Sequence, residues 1–172
     1  RAVKLNRSSD VSFYNFGLIL RHLNKPQQAF EQFSKALELN SKVAETWNNR
    51  GVVSNELRNY EAAIADFDNA IRLNGAYAEA HANKGKALLN LQRADEALAS
   101  YLAALAIKPD LAEAWLGQGN VLANLMRPDD ALAAYERALL IKPDLTGAWL
   151  GKGNVCAHLK RPNEALAAFD RA

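Results

Sequence analysis

Residues 114–138 read AWLGQGNVLANLMRPDDALAAYERA, and residues 148–172 read AWLGKGNVCAHLKRPNEALAAFDRA, nearly the same sequence 34 residues later. If Trp115 is position 4 of a 34-residue repeat, the chain carries five successive registers without a gap. In every register position 8 is glycine, positions 20 and 27 are alanine, and position 24 is aromatic. Self-similarity at a fixed period of this length is the sequence signature of a repeat architecture. The sequence therefore predicts a solenoid of stacked units.

Each unit has the apolar spacing of two α-helices. Positions 4, 7, 8 and 11 fall on one helical face, and positions 20, 24, 27, 28 and 31 fall on another. A polar break separates the two faces, and Pro26, Pro128 and Pro162 there fit the first turn of a second helix, where a missing N–H is no loss. Asp110 and Glu113 have the spacing of a capping box that opens the next unit. The predicted fold class is all-α, built from antiparallel helix pairs.

The repeat frame predicts one solenoid domain with a simple organisation. It comprises residues 1–9 as the end of a preceding repeat, four repeats at 10–43, 44–77, 78–111 and 112–145, and a truncated repeat at 146–172. Arg171 and Ala172 correspond to Arg1 and Ala2 a whole number of repeats later, so the sequence resembles a segment cut from a longer array. A solenoid normally ends in a capping element with a polar outer face. We therefore expect the truncated ends to fray or to pack against another copy.

Composition limits the classes of function. Hydrophobic residues, mostly Ala and Leu, make up 49% of the chain, and the net charge is +2 with no run of Lys or Arg. Nucleic-acid binding without sequence preference needs a basic surface, so no nucleic-acid partner is expected. The apolar stretches are too short to span a membrane, so no membrane partner is expected either. A single cysteine rules out an internal disulfide framework and favours a reducing compartment such as the cytoplasm.

No constellation of residues in the sequence indicates catalysis. His22, His81 and His158 lie at different positions of separate repeats, and none has metal-ligand spacing with a cysteine or a carboxylate. Cys156 at position 11 faces the interior of its helix pair, which favours inert packing over nucleophilic chemistry. The sequence contains no Ser–His–Asp set and no phosphate-binding loop. We predict no catalytic residue, no metal and no cofactor.

Over residues 10–172 the repeat resembles the tetratricopeptide repeat, whose signature is Trp-x2-Leu-Gly-x2-Tyr followed by Ala-x3-Phe, Ala and Pro. The departures from the signature are local: Arg50, Lys84, Gln118 and Lys152 at position 7, Ser54 and Cys156 at position 11, and His81 at position 4. The resemblance implies a right-handed superhelix whose first helices line the concave surface and whose second helices form the convex one. The glycine and alanine positions let helices approach closely, and the aromatic rings fill the remaining space.

Positions 2, 6, 9 and 13 lie opposite the core face of each first helix, beside positions 5 and 12, and they vary between repeats. Asparagine recurs there, at position 6 in the first three repeats and at position 9 in the last two. Because a carboxamide both donates and accepts, a ladder of amides can bind the backbone of an extended polypeptide. Alternatively, these asparagines are solvated or bond to a neighbouring helix. The predicted peptide-binding groove comprises Asn15, Asn49, Asn83, Lys86, Asn90, Leu116, Asn120, Asn124, Leu150, Asn154 and His158.

The resemblance refines this groove. Family members that bind acidic C-termini use a clamp of Lys, Asn and Arg side chains at positions 5 and 9. Position 5 here reads Tyr14, Asn48, Ala82, Leu116 and Leu150, so the clamp is absent. Asn15, Asn49 and Asn83 resemble the asparagine ladder of O-linked N-acetylglucosamine transferases, which contacts substrate backbones, whereas Gly117 and Gly151 depart from it. The near-consensus units also resemble bacterial arrays fused to glycosyltransferase domains.

The sequence therefore predicts a non-catalytic protein–protein interaction module that binds polypeptide segments along its concave groove. Two alternatives stay open. One is a substrate-recruiting arm of a larger enzyme such as a glycosyltransferase. The other is a self-assembling scaffold that associates through its truncated repeat ends or through the apolar C-terminal part of the groove.

Overall fold

The structure, a computed structural model, describes residues 2–172, and their side chains from Ser9 onward. The described residues form ten α-helices joined by short turns, and none of them forms a strand. The helices are α1 (Ala2–His22), α2 (Pro26–Leu39), α3 (Ala44–Glu56), α4 (Tyr60–Leu73), α5 (Ala78–Asn90), α6 (Ala94–Ile107), α7 (Ala112–Asn124), α8 (Pro128–Ile141), α9 (Thr146–His158) and α10 (Pro162–Phe169). The all-α fold class predicted from the sequence is confirmed.

Odd-numbered helices are the first helices of the repeats, and even-numbered helices are the second. The first helices α1, α3, α7 and α9 each pack against the second helix that follows, and α2, α6 and α8 each pack against the next first helix. The chain divides into two compact units, one up to Ala87 and one from Leu88 to Ala172, with the boundary inside α5. Each unit is a stack of helix pairs, as a tetratricopeptide solenoid requires.

The segment that the sequence assigns to a preceding repeat is only partly described. Residue 1 and the side chains of residues 2–8, which include Leu5, lie outside the described part of the chain. The backbone of residues 2–9 is helical and continues into the first repeat as part of α1.

Four of the glycines at position 8, Gly17, Gly51, Gly119 and Gly153, lie directly against the aromatic ring at position 24 of the same repeat. A Cβ atom on Gly17 would lie 2.7 Å from Cε1 of Phe33, and one on Gly51 would lie 2.7 Å from Cε1 of Phe67. Carbon atoms in van der Waals contact are about 3.5–4.0 Å apart, so any larger residue would displace the ring. Phe33 and Phe67 are fully buried there. The predicted structural role of these glycines is confirmed.

A residue with left-handed helical backbone follows every first helix: Asn24, Arg58, Gln92, Met126 and Lys160, with φ between 55° and 62°. The next residue then donates its N–H back to the carbonyl of the last turn, as from Lys25 to Leu20 at 2.9 Å. This is the Schellman arrangement that ends many helices. Pro26, Pro128 and Pro162 then occupy the first turn of the following helix, as predicted.

The predicted capping box at Asp110 and Glu113 is wrong. Helix α7 begins at Ala112, its N-cap is Leu111, and no side chain caps it. Leu111 is buried, and its N–H donates to the carbonyl of Lys108 at 3.2 Å, so burial of the leucine decides where the helix starts. Glu113 instead lies 3.5 Å from Nζ of Lys142.

Each tryptophan at position 4 bonds its own first helix to the turn before that helix. Their Nε1–H groups donate 2.8–2.9 Å bonds to backbone carbonyls six residues earlier, from Trp47 to Ser41, Trp115 to Pro109 and Trp149 to Pro143. His81, which replaces the tryptophan in the third repeat, places Nε2 3.3 Å from the carbonyl of Gly75. The histidine therefore places a polar ring nitrogen near the carbonyl that lies six residues earlier, as the tryptophans do.

Candidate polypeptide-binding surface

The predicted groove residues all lie on first helices. In the unit that ends at Ala87 they are Asn15, Asn49, Asn83 and Lys86, and in the unit that starts at Leu88 they are Asn90, Leu116, Asn120, Asn124, Leu150, Asn154 and His158. Four of the eleven, Asn49, Asn83, Leu116 and Asn120, are half-buried, and the others are exposed. Each of the three half-buried asparagines bonds to another described side chain.

Asn49 is held by its own unit. Its Nδ2 donates to the Tyr14 hydroxyl at 3.2 Å and to the backbone carbonyl of Glu45 at 2.9 Å. Its Oδ1 accepts from Nη1 of Arg21 at 3.5 Å, and Arg21 also donates from Nε to Glu56 at 3.1 Å. The amide of Asn49 therefore joins α3 to α1.

Asn83 belongs to a second polar cluster in the same unit. Its Nδ2 donates to Oδ1 of Asn48 at 3.0 Å, and the Tyr77 hydroxyl also hydrogen-bonds to Asn48. Burial, followed by the nearby carboxylates of Glu45 and Glu79, raises the pKa of Tyr77 to about 12. Burial and then Glu45 also raise the pKa of Tyr14. Both phenols therefore stay protonated and uncharged at neutral pH.

In the second unit a tyrosine explains why position 6 is glycine. A Cβ atom on Gly151 would lie 2.5 Å from Cζ and 2.8 Å from the hydroxyl oxygen of Tyr135, which belongs to the preceding repeat. A Cβ atom on Gly117 would overlap the ring of Tyr101 in the same way. The repeats that carry asparagine at position 6, at Asn49 and Asn83, follow a phenylalanine at position 24 instead. The tyrosine ring and its hydroxyl together occupy the space that a position-6 side chain would need.

The same tyrosine accounts for one asparagine at position 9. The Tyr135 hydroxyl donates to Oδ1 of Asn120 at 2.9 Å, and burial raises the pKa of Tyr135 to about 12. In the fourth repeat the amide at position 9 is therefore bound by the tyrosine at position 24 of the same repeat. For Asn49, Asn83 and Asn120, a bond to a neighbouring helix, the alternative left open by the sequence, is present.

Asn154 differs from Asn120 although both occupy position 9. Its repeat carries Phe169 at position 24, which has no hydroxyl, and within the described residues the Asn154 amide makes no hydrogen bond. Leu150, Asn154 and His158 are four residues apart on α9, so they lie along one face of the helix, and all three are exposed. We call this row the α9 stripe.

A cleft of about 350 Å³ adjoins the α9 stripe, between α9 and the turn that joins α7 to α8. Its wall consists largely of apolar side chains, Ala123, Met126, Val155 and Leu159, and Asn154 and His158 add its polar groups. Met126 was not among the residues selected from the sequence, although it is 70% exposed. Aligning position 15 of the repeats would have indicated it, because the other four carry Asn24, Arg58, Gln92 and Lys160.

Among the described residues, neither the cysteine thiol nor the metal-ligating side chains form a site of another kind. Cys156 is fully buried, and that burial raises the pKa of its thiol. A thiol is a poor nucleophile when it is not ionised. No group of three or more His, Cys, Asp or Glu side chains able to hold a metal ion occurs in the part of the chain described. None of the described helices is both long and apolar enough to cross a membrane.

Several solved structures share this fold. YrrB, described as a TPR protein with an unusual peptide-binding site, is 25% identical over 99% of this chain and 88% of its own, with a TM-score of 0.72. PilF of Pseudomonas aeruginosa is 19% identical over 96% of this chain and 76% of its own, with a TM-score of 0.86. MamA of Desulfovibrio magneticus RS-1 is 18% identical over 95% and 92%, with a TM-score of 0.81. No curated protein sequence matches the chain significantly.

The family model of the tetratricopeptide repeat matches residues 14–67, 56–112, 83–146 and 116–172, which together leave only the first residues unmatched. These matches agree with the 34-residue period, the paired helices and the glycine–ring contacts described above. The chain belongs to the tetratricopeptide repeat family.

Proposed function

We propose that this chain is a non-catalytic module that binds an extended polypeptide segment, and that the α9 stripe is part of its binding surface. The observation that carries the proposal is the exposed Asn154 amide, which makes no hydrogen bond within the described residues and lies between Leu150 and His158. A carboxamide with free donors and acceptors can pair with a peptide group of any sequence. Leu150, which is 44% exposed, supplies an adjacent apolar contact.

Two further observations support this proposal. Asparagine is only a middling helix former, so an exposed asparagine within α9 carries a cost that a bound ligand would offset. The similar structure of YrrB is described as having a peptide-binding site, and its sequence is 25% identical to this chain. The asparagines that bond internally are less suited to the role, because a ligand would have to displace the existing partners of Asn49, Asn83 and Asn120.

Replacing Asn154 by alanine is expected to weaken peptide binding without changing stability. Peptides selected from a random library on the wild-type chain would be titrated against Asn154→Ala and against Asn163→Ala, an exposed asparagine on α10 of the same repeat. Loss of one or two hydrogen bonds to the backbone should weaken affinity about three- to tenfold. Equal affinity of the wild type and Asn154→Ala would remove the α9 stripe from the binding surface.

A second candidate function is self-association, and the apolar side chains of α1 and α10 favour it. Ile19 on α1 is 56% exposed, whereas its counterparts Val53 and Val121 are fully buried. Phe169 on α10 is 40% exposed, whereas its counterpart Phe67 is 1% exposed. Apolar side chains at these two repeat positions are therefore exposed among the described residues, and contact with a second copy would remove their surface from water.

Replacing Leu166 by glutamate is expected to abolish this self-association. Leu166 on α10 is 62% exposed beside Phe169, so a charge there would be desolvated in the assembly. Leu140→Glu on α8 is the control, because Leu140 is 75% exposed and occupies a different repeat position. The mass would be followed by light scattering over a wide concentration range. A wild-type chain that stays monomeric throughout would disprove this function.

A further inference from the structure

The cleft beside the α9 stripe has a counterpart in the first unit with a different surface. Three repeats separate Ala123 from Arg21, and three repeats separate His158 from Glu56. In the first unit Arg21 and Glu56 form an ion pair at 3.1 Å, and charged and polar side chains line the depression beside it. In the second unit the same two positions carry a methyl group and an imidazole. The replacement removes the charged pair and leaves an apolar wall.

Met126 strengthens the contrast. It has left-handed backbone, with φ at 57°. An unbranched polar residue or glycine adopts this conformation at least as readily, so the backbone does not require a methionine here. The four equivalent residues are polar, yet Met126 is apolar and 70% exposed at the edge of the cleft. Its flexible thioether adapts to the shape of a partner side chain. Covering this residue would remove apolar surface from water, which is favourable.

The charge of the lining determines what the cleft can hold. None of its residues is Asp, Glu, Lys or Arg. A lysine or arginine side chain would lose its hydration there without gaining a carboxylate partner. An uncharged apolar side chain loses nothing of this kind and gains contacts with Val155, Leu159 and Met126. The polar Asn154 at the same cleft is placed to bond the main chain of the residue that inserts.

We propose that this cleft is the specificity pocket of the polypeptide-binding surface and accepts one large apolar side chain, such as leucine, methionine or phenylalanine. This inference rests on the proposed function, since it assigns the inserted side chain to a polypeptide whose backbone contacts Asn154. The pocket then supplies the side-chain selectivity that a backbone-directed amide lacks.

The chain offers a direct probe, because Met126 is its only methionine. Protein labelled with 13C at the methionine methyl group gives a single NMR resonance that reports on the cleft. We expect this resonance to shift on titration with N-acetyl-leucine N-methylamide and with library-selected peptides. N-acetyl-alanine N-methylamide should leave it unchanged. Replacing the apolar residue of a selected peptide by alanine should weaken binding about tenfold or more.

The matched variant transfers one ion pair of the first unit to the equivalent positions of the second unit. Ala123→Arg/His158→Glu reproduces the Arg21–Glu56 pair at the equivalent positions, where the same fold already holds it. We expect this variant to fold with an unchanged circular dichroism spectrum and to lose both the methyl shift and the preference for an apolar residue. Ala133→Arg, on an exposed site of α8, is the control for added charge and should behave as the wild type.

The outcomes separate the pocket from the proposed function. Suppose that the wild type binds peptides, but neither the leucine probe nor the apolar residues of the peptides affect the Met126 resonance. The assignment of the cleft as a specificity pocket is then wrong, and the polypeptide-binding function stands. Suppose instead that the wild type binds no peptide, that the leucine probe shifts the resonance, and that Ala123→Arg/His158→Glu abolishes the shift. The cleft then binds an apolar side chain as proposed, and the polypeptide-binding function is wrong. If neither effect is found, both are wrong.

Discussion

Replacing Gly117 by asparagine is expected to destabilise the second unit by about 2–3 kcal/mol, because the new side chain overpacks a filled space. A Cβ atom at this position would overlap the Tyr101 ring and lie 2.6 Å from its hydroxyl oxygen, and Tyr101 is buried. Urea denaturation followed by circular dichroism measures the change. Gly147→Asn is the control, because its Cβ would meet only the far end of the Leu116 side chain, at 3.2 Å.

A second substitution tests the cause. Tyr101→Phe combined with Gly117→Asn reproduces the combination that the chain uses at Phe67 and Asn83. The double variant should therefore recover most of the stability lost by Gly117→Asn alone, and the difference is the coupling energy of the pair. Additive effects of the two substitutions would show that the tyrosine hydroxyl does not determine the residue at position 6.

Replacing Arg50 by alanine is expected to cost about 3–5 kcal/mol, because it leaves the buried Asp66 carboxylate without its partner. Arg50 donates to Asp66 through two nitrogen atoms, at 2.6 Å and 3.0 Å, and Asp66 is only 4% exposed. Lys84→Ala is the matched control at the same repeat position. Its partner Asp68 is 52% exposed, so its loss should cost about 1 kcal/mol or less. Similar losses for both variants would contradict this explanation.

The Arg50→Ala defect should also depend on pH. Burial raises the pKa of Asp66 above its ordinary 3.8, although the hydrogen bond and charge of Arg50 act in the opposite direction. A carboxyl group with a raised pKa in the folded state binds its proton more tightly there, so stability falls as the pH rises from 3.8 through the raised value. Removing Arg50 raises the pKa further. The gap between variant and wild type should therefore narrow on acidification from about pH 7 to about pH 4, and a constant gap would contradict the assignment to Asp66.

The repeat frame predicted the helices, their order and the packing role of the position-8 glycines, because these depend on residues within one 34-residue unit. The destinations of the asparagine amides could not be predicted in the same way. Asn49 bonds to Tyr14 and Asn83 to Asn48, partners 35 residues away on another first helix. Such bonds depend on the stacking distance between repeats, which periodicity does not provide.

The change from Asn49 and Asn83 to Gly117 and Gly151 could have been interpreted from the sequence, since each follows a change at position 24 of the preceding repeat. The comparison requires knowing that these two positions touch across repeats, and the structure supplies that fact. Asp110 and Glu113 show the opposite kind of error. Their spacing fits a capping box, but Leu111 is buried and is the N-cap of α7, so no side chain caps that helix.

The contact between a tyrosine and the next repeat's glycine also limits how such an array can shorten during evolution. An in-frame deletion of residues 112–145 would bring Tyr101 before Gly151, which again sets a tyrosine against a glycine. A deletion of residues 78–111 would instead bring Phe67 before Gly117 and leave neither a hydroxyl nor an amide to occupy the space. Recombination between repeats of equal length therefore has unequal structural consequences, which depend on whether the residue at position 24 still matches the residue at position 6 of the repeat that follows it.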